Sequence, residues 1–136
     1  MPRCSNGILV ENSRYITIDN ISVEAGLDGI EIENSQNIII DGVSVSQTRQ
    51  AGIFVTKNSQ DVDILNSTIF NTGTENPQYG ECIYVGVGSL DGFPDTTSRV
   101  WIENNEVYNC GFAEAINVKP EAVSYTHLTL PTTPYV

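Results

Sequence analysis

The residues of this chain that could do chemistry are carboxylates, one lysine and a few aromatic rings. Asp28, Glu31, Glu33, Glu81 and Glu114 are the acidic candidates. Oxygen-only ligands of this kind suit Ca2+ rather than zinc. Asp28, Glu81 and Glu114 are therefore read as metal ligands, with Glu81 and Glu114 the better placed pair. Lys119 is the sharpest candidate for proton abstraction, with Glu114 near it, because an amine relieved of its proton is a base. An amine ringed by carboxylates stays charged, which works against that role. Two carboxylates can instead act as the acid and base of a hydrolase. Glu31 or Glu81 with Glu114 would supply such a pair, and no spacing selects between them. Phe54 and Tyr84 offer flat apolar faces with a polar edge, a surface that suits sugar rings unless an inserted loop covers it.

What must position these groups is a repeated phrase. "NGILVENSRYITIDNISV" (6–23), "DGIEIENSQNIIIDGVSV" (28–45) and "AGIFVTKNSQDVDILNSTI" (51–69) share one rhythm. The isoleucines that open each phrase, Ile8, Ile30, Ile53, Ile83 and Ile116, are spaced by 22, 23, 30 and 33 residues. A period in this range marks a solenoid. Apolar residues alternate within each phrase, as strands require, and three short strands fit per coil. Ile8, Ile30, Ile53, Ile83 and Ile116 then stack in one inward column, and Val10, Ile32, Val55, Val85 and Val118 in another. Ile18, Ile40, Ile64 and Ile102 form a third. The fold expected is all-β, a single-stranded parallel β-helix of about five coils. Asn20, Gly42, Asn66 and Asn104 stand at the turn after the second strand, where a left-handed backbone and an amide ladder are expected.

This register turns Leu9, Glu31, Phe54, Tyr84 and Asn117 outward on the first sheet, followed by Glu11, Glu33, Thr56, Gly86 and Lys119. Two insertions flank that sheet, "TGTENPQYGE" (72–81) and "GSLDGFPDTTS" (88–98), and long loops on a regular scaffold usually carry function. On the second sheet the outward row Thr17, Ile39, Asp63 and Trp101 is partly apolar, and further chain is expected to cover it.

The chain has 136 residues and a formal net charge of −11, from 17 acidic and 6 basic residues. That balance argues against binding nucleic acid through its phosphates and against an anionic membrane surface. Cys4, Cys82 and Cys110 have no zinc spacing. Cys82 and Cys110 can pair or remain free thiols.

The phrase "GI-x-V-x-NS-x-N-I-x-I-x-N" resembles the right-handed parallel β-helix repeat of the pectin-lyase-like superfamily, over residues 6 to about 122. "YGECIYVG" (79–86) followed by "AEAINVK" (113–119) is similar to segments of bacterial and fungal pectate lyase-type β-helix proteins. The chain departs from those segments at Cys82, at Asn117 where Asp is usual, and at Pro120. The resemblance implies a substrate groove along the first sheet and a secreted or cell-surface protein. It also implies a fragment of a Ca2+-assisted polysaccharide lyase acting on a uronate polymer. Lys119 and Glu114 would then be catalytic, and Phe54, Tyr84, Glu31 and Asn117 would bind substrate. A non-catalytic glycan-binding, adhesin-like or tailspike-like β-helix is the alternative, as is a glycoside hydrolase using paired carboxylates. The partner expected is a polysaccharide, with self-association through uncapped coils.

Residues 1–5 read as a lead-in, 6–122 as the coils and 123–136 as a non-native or disordered tail. The tail "VSYTHLTLPTTPYV" resembles translated adapter sequence; a genuine terminal strand is the alternative. It holds the only histidine, His127, so His-based catalysis and metal binding are not expected in the coils.

Overall fold

Rows of alternating β-branched residues can satisfy their backbone by pairing each strand with its equivalent one phrase later, and the chain does so. The computed structural model describes residues 5–87 and 92–119, together with the backbone of 127–129. The first coil holds β1 (Ile8–Glu11), β2 (Arg14–Asp19) and β3 (Ser22–Glu24). The second holds β4 (Ile30–Glu33), β5 (Gln36–Asp41) and β6 (Ser44–Ser46). The third holds β7 (Ile53–Thr56), β8 (Gln60–Leu65) and β9 (Thr68–Thr72). The fourth holds β10 (Ile83–Val85), β11 (Ser98–Glu103) and β12 (Glu106–Cys110). β13 (Ile116–Val118) and β14 (His127–Thr129) continue two of the faces.

Three parallel sheets result, ordered β1-β4-β7-β10-β13, β14-β11-β8-β5-β2 and β12-β9-β6-β3. This is the expected parallel β-helix, and the register is the expected one. Ile8 lies opposite Ile30, Ile30 opposite Ile53, Ile53 opposite Ile83, and Ile83 opposite Ile116. Ile18, Ile40, Ile64 and Ile102 stack in the same way on the second sheet. The inward columns of coils 2 to 4 are fully buried, for example Ile30, Ile53, Ile83, Ile40, Ile64 and Ile102. Each such side chain contributes roughly 1.5–3 kcal/mol through burial. β14 pairs with Trp101–Glu103 inside the segment read from sequence as a tail. Residues 1–4, 88–91, 120–126 and 130–136 lie outside the described residues.

The corners need polar partners because their backbone groups lie under the core. One column of hydroxyls supplies them. Ser13 N donates to Ser35 Oγ (3.1 Å), Ser35 N to Ser59 Oγ (3.2 Å) and Ser59 N to Thr97 Oγ1 (3.2 Å). The asparagine corner has the expected left-handed backbone at Asn20, Gly42, Asn66 and Asn104. Its amide ladder is partial: Asn104 donates to Asn66 (2.6 Å), and Asn66 donates to Asp41 (2.9 Å) because Gly42 has no amide to offer.

At the start of the first strand, Gly7, Gly29 and Gly52 lie so close to Val23, Val45 and Ile69 that a Cβ on any of them would collide. The fourth coil has Cys82 at this position, and its sulfur bonds Cys110, with Cα atoms 5.3 Å apart. Of the two states open to these cysteines, the fold holds the disulfide.

Candidate functional site

The outward face of the first sheet carries the candidate residues in the order the register requires. Glu31 lies opposite Phe54, Phe54 opposite Tyr84, and Tyr84 opposite Asn117. The Phe54 and Tyr84 rings are half-buried, with centroids 4.8 Å apart and planes tilted by 43°. Lys119 leans back from the fifth coil and places Nζ 5.3 Å from the centre of the Tyr84 ring. Its backbone N–H is fixed to Val85 O (3.0 Å). An aromatic shelf and an amine therefore meet at one place.

Asn117 links this place to the acidic residues. Its Nδ2 donates to Glu81 Oε2 (3.3 Å) and, at the long limit, to Glu114 Oε2 (3.5 Å). Glu81 is buried, and its other oxygen, Oε1, is fully enclosed with no hydrogen-bond partner. Glu31 faces outward in the strand register, yet the fold buries it together with Asp28 and Glu81, to 9%, 5% and 5% exposure.

Burial changes what these acids are. The Glu31 carboxyl is pushed up to about 8, first by burial, then by its hydrogen bond to Glu33 and by the charges of Glu33 and Asp28. Glu31 is thus neutral at pH 7 and donates to Glu33, whose own carboxyl is held low by that bond and by Lys57. Lys57 Nζ reaches Glu33 Oε1 at 3.0 Å, and Asn6 Nδ2 reaches Glu31 Oε1 at 3.0 Å. Asp28 is raised by burial and accepts from the buried Ala51 N–H (3.0 Å).

Of the residues read from sequence as calcium ligands, Glu81 and Glu114 come together around Asn117, and Asp28 is held apart on Ala51. Among the described residues no three Asp, Glu, His or Cys side chains come together in a metal-binding group. Asp28 is committed to Ala51, and an amide donor, Asn117, occupies the position between Glu81 and Glu114. An N–H there serves a carboxylate as a cation would, so the three residues as arranged do not fit a shared Ca2+.

One residue that sequence reasoning missed organises the rim. Asp95, fully buried in the second insertion, accepts from Thr56 Oγ1 (2.9 Å), Lys57 N (3.1 Å), Asn58 N (2.8 Å) and Val87 N (3.1 Å). Thr97 N (3.0 Å) and Thr97 Oγ1 (2.6 Å) donate to it as well. The insertion thereby folds over Thr56, which the strand register alone leaves outward but which is buried. The available signal was an acid followed by two threonines, a local turn pattern.

Comparison with known proteins follows the geometry. A family model described as a right handed beta helix region matches residues 3–129. The crystal structure of an alginate lyase from Paenibacillus sp. str. FPU-7 is similar, with a TM-score of 0.78 and 28% sequence identity. The similarity covers 89% of this chain and 41% of that one, so the chain spans well under half of the lyase. No curated protein matches the chain.

Proposed function

The chain belongs to the right-handed β-helix family, and on that premise we propose that it is the substrate-handling part of a polysaccharide lyase acting on a uronate polymer of the alginate kind. The observation that carries this reading is the Lys119 amine held 5.3 Å from the centre of the Tyr84 ring, on a shelf continued by Phe54. The likeness to an alginate lyase supports the substrate class.

β-Elimination needs a base for the C5 proton, relief of the uronate's negative charge and a proton for the departing oxygen. Lys119, acting as the neutral amine, takes the proton from C5 and becomes the ammonium; the electron pair forms the C4–C5 double bond as the C4–O bond breaks. The hydroxyl of Tyr84, on the ring that Lys119 faces, supplies the proton to the leaving oxygen. Asn117, its amide N–H groups held by Glu81 and Glu114, lines the substrate face next to Tyr84. Phe54 and the Tyr84 ring stack against the sugar faces. No step is routed through calcium.

The paired-carboxylate hydrolase has less support. Of the acids read for that role, Glu31 is committed to Glu33, and Glu81 and Glu114 both hold the Asn117 amide where a glycosidic bond and a water would have to lie. Export fits the buried Cys82–Cys110 disulfide, since such bonds persist in oxidising compartments.

The test is ultraviolet absorbance of the unsaturated uronate product on alginate and on pectate. A rise on alginate that Lys119→Ala lowers at least a hundredfold is expected. No rise on either polymer, with binding retained, would favour a non-catalytic glycan-binding β-helix.

A further inference from the structure

A groove of about 570 Å3 lies on the second sheet, on a different face from the site above. Its origin is a backbone irregularity repeated in four consecutive coils. Tyr15, Asn37, Asp61 and Arg99 all have left-handed backbones, with φ between 54° and 59°. Pairing skips these positions: Arg14 pairs with Gln36 and Ile16 with Ile38, leaving Tyr15 and Asn37 between them out of the ladder. The same gap recurs at Asp61 and Arg99. A left-handed conformation costs a non-glycine residue roughly 1–2 kcal/mol, and bulges of this kind re-aim side chains. Four unlike residues bear that cost in register. They form a raised wall beside the outward row Thr17, Ile39, Asp63 and Trp101, and the groove lies between the two rows.

The lining is amphipathic in a particular way. Tyr15 is 79% exposed, and Trp101 and Ile39 present partly exposed apolar faces. Thr17 and Asn37 add neutral hydrogen-bonding groups. The Arg99 guanidinium already donates to both Asp61 oxygens, at 2.7 and 3.0 Å, and to Gln60 Oε1 at 2.8 Å. Its positive charge is therefore matched within the wall. Asp63 adds a second carboxyl to the lining beside Asp61, so the groove offers an anion no uncompensated positive charge. From first coil to fourth the floor runs roughly 14 Å at the ordinary interstrand spacing. One coil spacing is close to the length of one pyranose in an extended chain, so successive rings would meet successive coils.

We propose that this groove binds an uncharged pyranose chain lying along the β-helix axis, with ring faces on Tyr15, Ile39 and Trp101 and hydroxyls on Thr17, Asn37 and Asp63. This assignment stands on a different face and on different residues from the lyase reading and does not depend on it.

Trp101 is the only tryptophan in the chain, so its fluorescence reports on the groove. The full chain is titrated with cellohexaose, mannohexaose and xylohexaose, and in parallel with an alginate hexamer. A saturable change in Trp101 emission with at least one neutral hexaose is expected, with the alginate hexamer at least tenfold weaker. Tyr15→Ala, at an exposed position, should weaken the neutral ligand at least fivefold. Thr17→Arg, also exposed, repeats the test should Tyr15→Ala not fold. Silence with all three neutral hexaoses, tighter binding of the alginate hexamer, or undiminished binding in the folded variant would overturn the proposal. Because no turnover is measured, a negative result leaves the lyase reading where it stood.

Discussion

Lys119 Nζ lies 5.3 Å from the centre of the Tyr84 ring, reaching back from the fifth coil to the fourth. The pairing register sets Tyr84 opposite Asn117, so Lys119 meets the ring diagonally, two residues further along the strand. The ring face attracts the ammonium form by roughly 0.5–1 kcal/mol at an exposed site, so it stabilises the protonated Lys119 that proton transfer from C5 leaves behind. Tyr84 thus has two separable parts: a ring that places Lys119 and stacks with Phe54, and a hydroxyl that can donate a proton. Tyr84→Phe separates them. KM for the uronate polymer should stay within about twofold, while kcat falls by roughly a hundredfold as the proton donor is lost. Steady-state absorbance kinetics on both proteins measure this; equal kcat would reduce Tyr84 to a platform.

The neutral Glu31 predicts a pH dependence of stability. Its folded carboxyl sits near 8 against an ordinary 4.5. Between those values the folded chain holds a proton that the unfolded chain has released. Stability from this group therefore declines as pH rises from about 4.5 to about 8. Glu31→Gln keeps the neutral donor toward Glu33 and removes the titration. The variant should match the parent near pH 4.5 and gain a Tm advantage of a few degrees by pH 8. Thermal unfolding at four pH values decides it, and an advantage that shrinks toward pH 8 would contradict the assignment.

Columns such as Ile30 over Ile53 over Ile83 were legible in the sequence because strand period and coil period must both be met by the same residues. That double constraint leaves little freedom of register. The outward order Glu31, Phe54, Tyr84 and Asn117 came with it. What was not legible lay where coils depart from the rule. Asp28 and Glu81 hold equivalent turn positions and look solvated in isolation, but stacking buries them. Their burial depends on neighbours a coil away, which local pattern does not record. Asp95 belongs to an insertion with no counterpart in other coils, so no column announced it. The left-handed backbones at Tyr15, Asn37, Asp61 and Arg99 escaped notice because only Asn and Asp in that set commonly favour the conformation.

The disulfide predicts a redox-dependent stability confined to the fourth coil. Cys82 and Cys110 are separated by 28 residues and buried against the core. Closing a loop of that size is worth about 2–4 kcal/mol. Urea unfolding with and without reductant should show a loss in that range, and Cys82→Ala/Cys110→Ala should reproduce it without reductant. Because Cys82 stands where other coils have glycine, part of the loss will be a cavity that the double variant retains. A reduced protein as stable as the oxidised one would mean that packing alone holds the coil.

Asp95 should prove the most sensitive single residue of the rim. Burial works to raise its carboxyl, but hydrogen bonds from Thr97, Asn58 and Thr56 outweigh that and hold it below its ordinary 3.8. Stability from this carboxylate is therefore fully present above pH 3.8 and is lost as pH falls through the lower folded value. Asp95→Ala strands the N–H groups of Lys57, Asn58, Val87 and Thr97 without an acceptor. A buried donor left unpaired costs roughly 1–3 kcal/mol, and water reaching part of the opened site reduces the sum. A net loss of about 3 kcal/mol or more at pH 7 is expected in chemical denaturation. Hydrogen exchange should locate the damage, with protection lost first at Lys57, Asn58 and Val87 while the Ile30–Ile53–Ile83 strands stay protected. Uniform loss across all coils would instead mean that the insertion is part of the global folding unit rather than a strap laid over it.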